Sequence, residues 1–395
     1  MLVYLGICAV LAFLMAALAA FLAVPPAPTF GFAESHAASV ALAISPAAVF
    51  HIAFAAGAMP LVFGAIIHFV PVLTRTSSPH AAIRLMPLPV QLAGIAAAAA
   101  LAGSLPQWSL HAAASTTGLV ALALVGWIFT RLRATLGTPH PGARWYAGAL
   151  LALLLAVAVV PLLLARPEWR GALRLFHLHL NTLGFIGLAA LATLPVLLPT
   201  VLGRPEPTIA ARLRRDWWLA AGGALLVAAG AAVFWLLAVI GALLLAWVAL
   251  RDMLAWNRAY GLGKILGDGA TAPLAAATLG LALLLLLGIV HGAGLMEARP
   301  AIASYAVGFL LPLVTGALTQ LLPVWRHPGA DSPARRTMRQ RLARGGQLRA
   351  TLFLTGGGLL VLDNPAGAML GAAAMLLFGA VLLHAVLAAA PAGPA

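Results

Sequence analysis

Apolar residues arrive in long uninterrupted runs separated by short polar or proline-rich breaks, and about 20 such residues suffice to cross the hydrocarbon core of a bilayer. Twelve runs meet that requirement. They extend over Met1 to Val24, Pro46 to Leu73, Leu88 to Leu105, Ser109 to Thr130, Trp145 to Leu164 and Leu173 to Thr200. The second half adds Trp217 to Val233, Trp235 to Leu254, Pro273 to His291, Ala301 to Val324, Leu348 to Leu362 and Pro365 to Leu387. Trp217 to Leu250 has no polar break, yet as one helix its 34 residues would measure about 51 Å. That exceeds one crossing, so a hairpin is expected near Phe234. Met1 to Val24 has no basic start of the kind a secretory signal needs, and is read as the first membrane helix.

The runs also repeat. Pro60 to Val72 reads PLVFGAIIHFVPV and Pro312 to Val324 reads PLVTGALTQLLPV, identical at seven of thirteen positions. A fainter middle copy is carried by Pro199, which lies 128 residues after Pro71 and 124 before Pro323. His51 and His179 each precede their own proline by 20 residues. The expected architecture is therefore all-α: a polytopic bundle of twelve transmembrane helices in three pseudo-repeated four-helix units. These units cover approximately residues 1–133, 134–258 and 259–395 of a single transmembrane domain.

Composition agrees with that class. The 395 residues are 63% hydrophobic and 8% charged, with mean hydropathy +1.04, which a soluble surface cannot accommodate. The net charge of +14 would suggest nucleic acid in a soluble protein. Here its distribution explains it: with both termini inside, 19 of the 23 Lys and Arg residues fall on the cytoplasmic side, the positive-inside pattern. Only Arg166, Arg170, Arg174 and Arg299 fall on the other side. The densest cluster, Arg335, Arg336, Arg339, Arg341, Arg344 and Arg349, lies between the tenth and eleventh segments and reads first as an anchor to anionic lipid. The lone Cys8 excludes disulfides, thiolate zinc cages and covalent haem attachment. Any haem is thus non-covalent, and any metal has nitrogen or oxygen ligands.

Histidine is the residue left to carry chemistry, since no Asp, Glu, Lys or Arg falls in the middle third of any predicted segment. This lowers the expectation of transport driven by a proton or sodium gradient. Six of the eleven histidines gather toward the outer side: His36, His51, His111, His177, His179 and His291. His177 and His179 project about 200° apart and differ by only about 3 Å in height. They face nearly opposite ways and can serve two neighbouring centres at one depth. Imidazole suits iron, copper and zinc, and two histidines from different helices can hold haem axially. His51, His177 and His179 are the expected cofactor ligands, with His111, His291 and His36 as further metal ligands. His68, His80, His140, His327 and His384 read as structural or solvated.

Twelve helices in three units with outward-clustered histidines resemble the catalytic subunit of haem-copper oxidases. In size and span number the chain is similar to the NnrS-type membrane proteins, a haem- and copper-containing family associated with nitric oxide tolerance. The phrase HLHLNTLGFIGL, from His177, resembles the histidine-bearing helix of small proteins related to that superfamily. The resemblance implies an axial role for His51 toward a low-spin haem. The chain departs from the oxidase pattern in three ways. Its His-x-His is on segment six, whereas segment ten offers Tyr305 and no histidine. Segment seven has no adjacent His-His pair, so no copper centre carries over residue by residue. No carboxylate or lysine marks a proton channel, so proton-pumping oxygen reduction is not expected.

The expectation is a multi-pass protein of a bacterial cytoplasmic (inner) membrane that binds b-type haem through His51 and one of His177 and His179. The other member would hold a second haem or copper with His111 or His291. Its role would be electron transfer or the handling of a diatomic gas such as nitric oxide, with a quinol or cytochrome as electron donor and no nucleic acid partner. Two other classes compete: a permease for a metal ion or small solute with an outer histidine capture site, and an assembly subunit that contacts a respiratory complex.

Overall fold

Within hydrocarbon a backbone has no water to bond to, so an apolar run closes its hydrogen bonds internally as a helix. The computed structural model describes residues 1–22, 45–296 and 301–388, and places helix in every run that the sequence marks. The long helices are α1 (Leu2–Leu22), α2 (Pro46–Thr74), α3 (Ala81–Leu101), α4 (Trp108–Arg133), α5 (Gly142–Ala165) and α6 (Pro167–Val201). They continue with α7 (Ile209–Ala232), α8 (Trp235–Tyr260), α9 (Thr271–Gly292) and α10 (Ala301–Arg326). A shorter α11 (Pro333–Ala343) precedes α12 (Gly346–Val361) and α13 (Ala366–Leu387). No strand occurs among the described residues.

Ten helices among the described residues are long and apolar enough to cross a membrane, and this is a multi-pass helical membrane protein. The ten are α1 to α6, α8, α9, α10 and α13. The first third of α7 carries Arg212, Arg214, Arg215 and Asp216, and α12 has 16 residues, about 24 Å of helix. The apolar run from Trp217 breaks at Val233 and at Phe234, which is extended at φ −151° and ψ 103°. The hairpin between α7 and α8 therefore turns where length alone requires it.

Three helices are wound differently from the rest. In α2, α6 and α10 the α-helical pattern gives way to π-helical turns at Ile52–Ala58, Leu180–Gly187 and Ala306–Leu310. Each stretch begins directly after a polar ring: His51, His179 and Tyr305. Such wider turns are costly and gather at functional positions. The same three helices meet one another. Phe63 of α2 packs on Phe185 of α6 with centroids 5.8 Å apart, and Phe54 of α2 stacks on Tyr305 of α10 at 6.0 Å.

The surrounding contacts recur around the bundle. Each π-helical stretch is flanked by the helices before and after it: α1 and α3, α5 and α7, and α9 and α12. α4 packs on α5, α8 on α9, and α13 on α1, closing the ring. Small residues permit the closest approaches. A Cβ on Gly94 of α3 would lie 2.2 Å from the carbonyl oxygen of Ala55, and one on Gly280 of α9 would lie 1.9 Å from that of Gly308. Neither neighbour is a side chain that can swing aside.

Charge is buried at the end of the bundle opposite His51, His177, His179 and His291. α7 begins eight residues before the predicted segment, which brings Asp216 into helix opposite Arg251 and Asp252, which lie near the end of the predicted eighth segment. Asp252 pairs with Arg212 at 3.3 Å and Asp216 pairs with Arg251 at 2.8 Å, with both aspartates under 5% exposed. Arg212 also bonds Glu206.

The packing at α3 gives a direct test. Gly94→Val is expected to destabilise the protein by about 1 to 3 kcal/mol, the usual penalty for overpacking. Gly126→Ala on α4, where nothing lies within 4 Å, should leave it unchanged. Thermal denaturation of the detergent-purified variants reads the difference.

Candidate functional site

The His-x-His of α6 lies just before its π-helical stretch, at the end of an α-helical segment that starts at Arg170. His177 turns toward α5 and α2: its Nδ1 donates to the Ala156 carbonyl at 2.7 Å, and its ring is within electrostatic range of His51. His179 turns the other way. Its Nδ1 donates to the Leu175 carbonyl at 2.8 Å, and it is within electrostatic range of His291 on α9. His51 donates from Nδ1 to Ala47 at 2.8 Å, and His291 does the same to Met296 at 3.0 Å. Two histidine pairs therefore sit on opposite faces of one helix.

All four rings share one hydrogen-bonding state. A carbonyl oxygen only accepts, so the proton of each neutral imidazole is on Nδ1 and the lone pair is on Nε2. Ligating histidines are usually held this way, with the second ring nitrogen bound to a carbonyl or carboxylate that fixes the ring's orientation.

One pair opens onto space. His179 and His291 line a cavity of about 400 Å³ enclosed by α6, α7, α8, α9 and α10 with Val361 of α12. Leucine, alanine and other apolar side chains form most of its wall, and none of the described lining residues is charged. Its remaining polar wall comes from Thr182, Trp235 and Tyr305. The hydroxyls of Thr182 and Tyr305 are already committed: Thr182 donates to Leu178 at 2.9 Å and Tyr305 to the Thr182 carbonyl at 2.6 Å. The two imidazoles are thus the wall groups with a nitrogen lone pair, on Nε2, to offer a metal ion. Met296, beside His291, adds a thioether to the wall.

Tyr305 links the surroundings of the two pairs. It forms cavity wall on one side and stacks on Phe54 on the other, one helical turn from His51. Phe50 and Phe309 extend the aromatic row at 6.4 and 5.0 Å.

The other candidates lie apart. His111 is exposed on α4 and joins neither pair, and His36 lies outside the described residues. Among the described residues no group of three or more His, Cys, Asp or Glu side chains could hold a metal ion. A ligand here would rest on two imidazoles. His68 packs edge-on against Trp325 at 5.9 Å, on the far side of the bundle from the cavity.

The part played by Tyr305 is hidden from the sequence repeat. Counting back from the matched prolines sets Ala303 opposite His51, two residues short of Tyr305. The π-helical stretch of α10 has five residues and that of α2 has seven, which accounts for the difference. A repeat alignment allowing a two-residue gap would have found it.

No protein-family model matches the chain, and no curated protein matches it.

Tyr305→Phe removes one buried hydrogen bond and preserves the ring stacking. It should cost about 0.5 to 1.5 kcal/mol, read as a lower melting temperature. An unchanged melting temperature would show that the bond to Thr182 adds nothing.

Proposed function

We propose that this chain is a haem-binding protein of a bacterial-type inner membrane that serves electron transfer or the handling of a diatomic gas such as nitric oxide. In this reading His179 and His291 are the residues that would hold a b-type haem. The observation that carries it is the pairing of two oriented imidazoles, from α6 and α9, on the wall of one apolar cavity. Axial ligation by two histidines with helical walls around the macrocycle is a recurrent way to hold non-covalent haem. This assignment puts the axial pair where the cavity is, with His179 as the member of the His-x-His that faces it.

The chain's own residues have definite roles in this reading. Leu175 and Met296 supply the carbonyls that hold the two rings in the Nδ1–H tautomer and point Nε2 at the ligand. The aliphatic wall excludes water, which strengthens electrostatic interactions inside. The haem, when bound, supplies one-electron chemistry at its iron. The His51 and His177 pair, beyond Tyr305, is the position for a second centre, haem or copper. Phe54 and Tyr305 form the short aromatic path between the two, and a quinol or cytochrome is the electron donor.

The same reading takes all twelve long helices as membrane spans, with both termini on the side that holds 19 of the 23 basic residues. The recurring contacts and the three π-helical stretches support grouping them in three four-helix units. That grouping, with the clustered histidines, carries the likeness to haem-copper oxidases, and the size and span number carry the likeness to NnrS-type proteins.

An oxidised and dithionite-reduced absorption spectrum of protein expressed with haem supplementation tests the proposal. A Soret band with sharp reduced α absorption is expected, lowered by at least half in His179→Ala and in His291→Ala and unchanged in His111→Ala. A featureless spectrum from wild type would overturn it.

A further inference from the structure

The arginine-rich connection between α10 and α12 is built as a rigid surface. Ser332 caps α11 by accepting from the Arg335 backbone N–H at 3.3 Å, and Pro333 occupies its first position. Met338 and Leu342 are buried beneath it against the bundle. Arg349, fully buried on α12, props the other end: its guanidinium donates to the carbonyls of Arg344 at 2.7 Å and Leu342 at 3.1 Å and packs over the Phe378 ring. Arg339 ties the middle to α6 by donating to the Val201 carbonyl at 2.6 Å. Burial and hydrogen bonding therefore fix α11 from below, along its whole length.

What this rigid helix presents is cationic. Arg336 and the capping Arg344 are exposed, Arg341 is half-buried, and Arg335, also half-buried, donates to the Gly329 carbonyl at 3.3 Å. The only carboxylate paired with them among the described residues is Asp331, 3.7 Å from Arg336. Arg335 and Arg339 are four residues apart, and Arg336 and Arg339 three, spacings at which like charges repel on a helix. A helix held in this state calls for an external anion. It lies at the ends of α10 and α12 on the basic side, at the level where a leaflet's headgroups sit. Arginine's forked guanidinium matches phosphate geometry, and each basic residue near an anionic membrane surface strengthens binding.

We infer that α11 is a headgroup-binding platform for anionic phospholipid, with Arg336, Arg341 and Arg344 as its phosphate contacts. The inference is independent of what the histidine cavity holds. Lipid bound there lies over the Arg339 link to the end of α6, the helix that carries His177 and His179.

Full-length protein reconstituted in nanodiscs of phosphatidylcholine with phosphatidylglycerol, then released for native mass spectrometry, tests it. Wild type should retain phosphatidylglycerol in preference to phosphatidylcholine. The triple variant Arg336→Gln, Arg341→Gln, Arg344→Gln should lose that preference by on the order of a hundred-fold, about fivefold per arginine. The corresponding triple lysine variant, which keeps the charge, should retain most of it and shows that the connection still folds. Equal retention of the two lipids by wild type would overturn the inference. So would a glutamine variant that holds phosphatidylglycerol as wild type does.

Discussion

Two residues advance an α-helix by about 200°, and α6 carries an imidazole at each end of that step. This constraint organises the half of the molecule around the His-x-His. One ring must face α2 and α5, the other α9, and neither can reach its partner's side without unwinding the helix. The pairs His51 with His177 and His179 with His291 follow from it. Tyr305 borders the cavity of the second pair and stacks on Phe54, about one turn from His51 of the first. The π-helical stretch that starts after His179 then resets the register of α6, so that Phe185 meets Phe63 of α2 further along.

Much of this architecture can be read from the sequence. Apolar runs show where helices must form, because a backbone in lipid has no other way to satisfy its hydrogen bonds. Length alone calls for the turn at Phe234. The opposite facing of His177 and His179 follows from helical pitch, and the 128-residue offset already relates His51 to His179. The partner of each histidine is another matter. His291 and His111 look equivalent in sequence, both at the outer ends of apolar segments, yet His291 lines the cavity and His111 is exposed. Helix rotation decides between them, and in a run apolar on every side no polar stripe reveals it. The π-helical turns are hidden for a related reason. Their residues, largely Ala, Gly, Ile, Leu and Phe, are those of any membrane helix, and only the two-residue offset of Tyr305 betrays them.

The two sides of the bundle treat polarity differently. At one end of the bundle, the neutral imidazoles of His51, His177, His179 and His291 are each fixed by one backbone carbonyl and keep a lone pair for a ligand. On the opposite side, Asp216 and Asp252 are spent on Arg251 and Arg212, and Arg349 on the carbonyls that end α11. Removing one member of a buried ion pair typically costs about 3 to 5 kcal/mol because the other is left uncompensated. That side is a structural anchor, whereas the end with these four histidines retains uncommitted chemistry.

Electron cryomicroscopy of the purified wild-type protein, prepared with haem supplementation, tests the cavity assignment most directly. Planar density bridging the Nε2 atoms of His179 and His291 is the expected result. Lipid or water in that cavity, with either imidazole turned to a protein partner through Nε2, would contradict it.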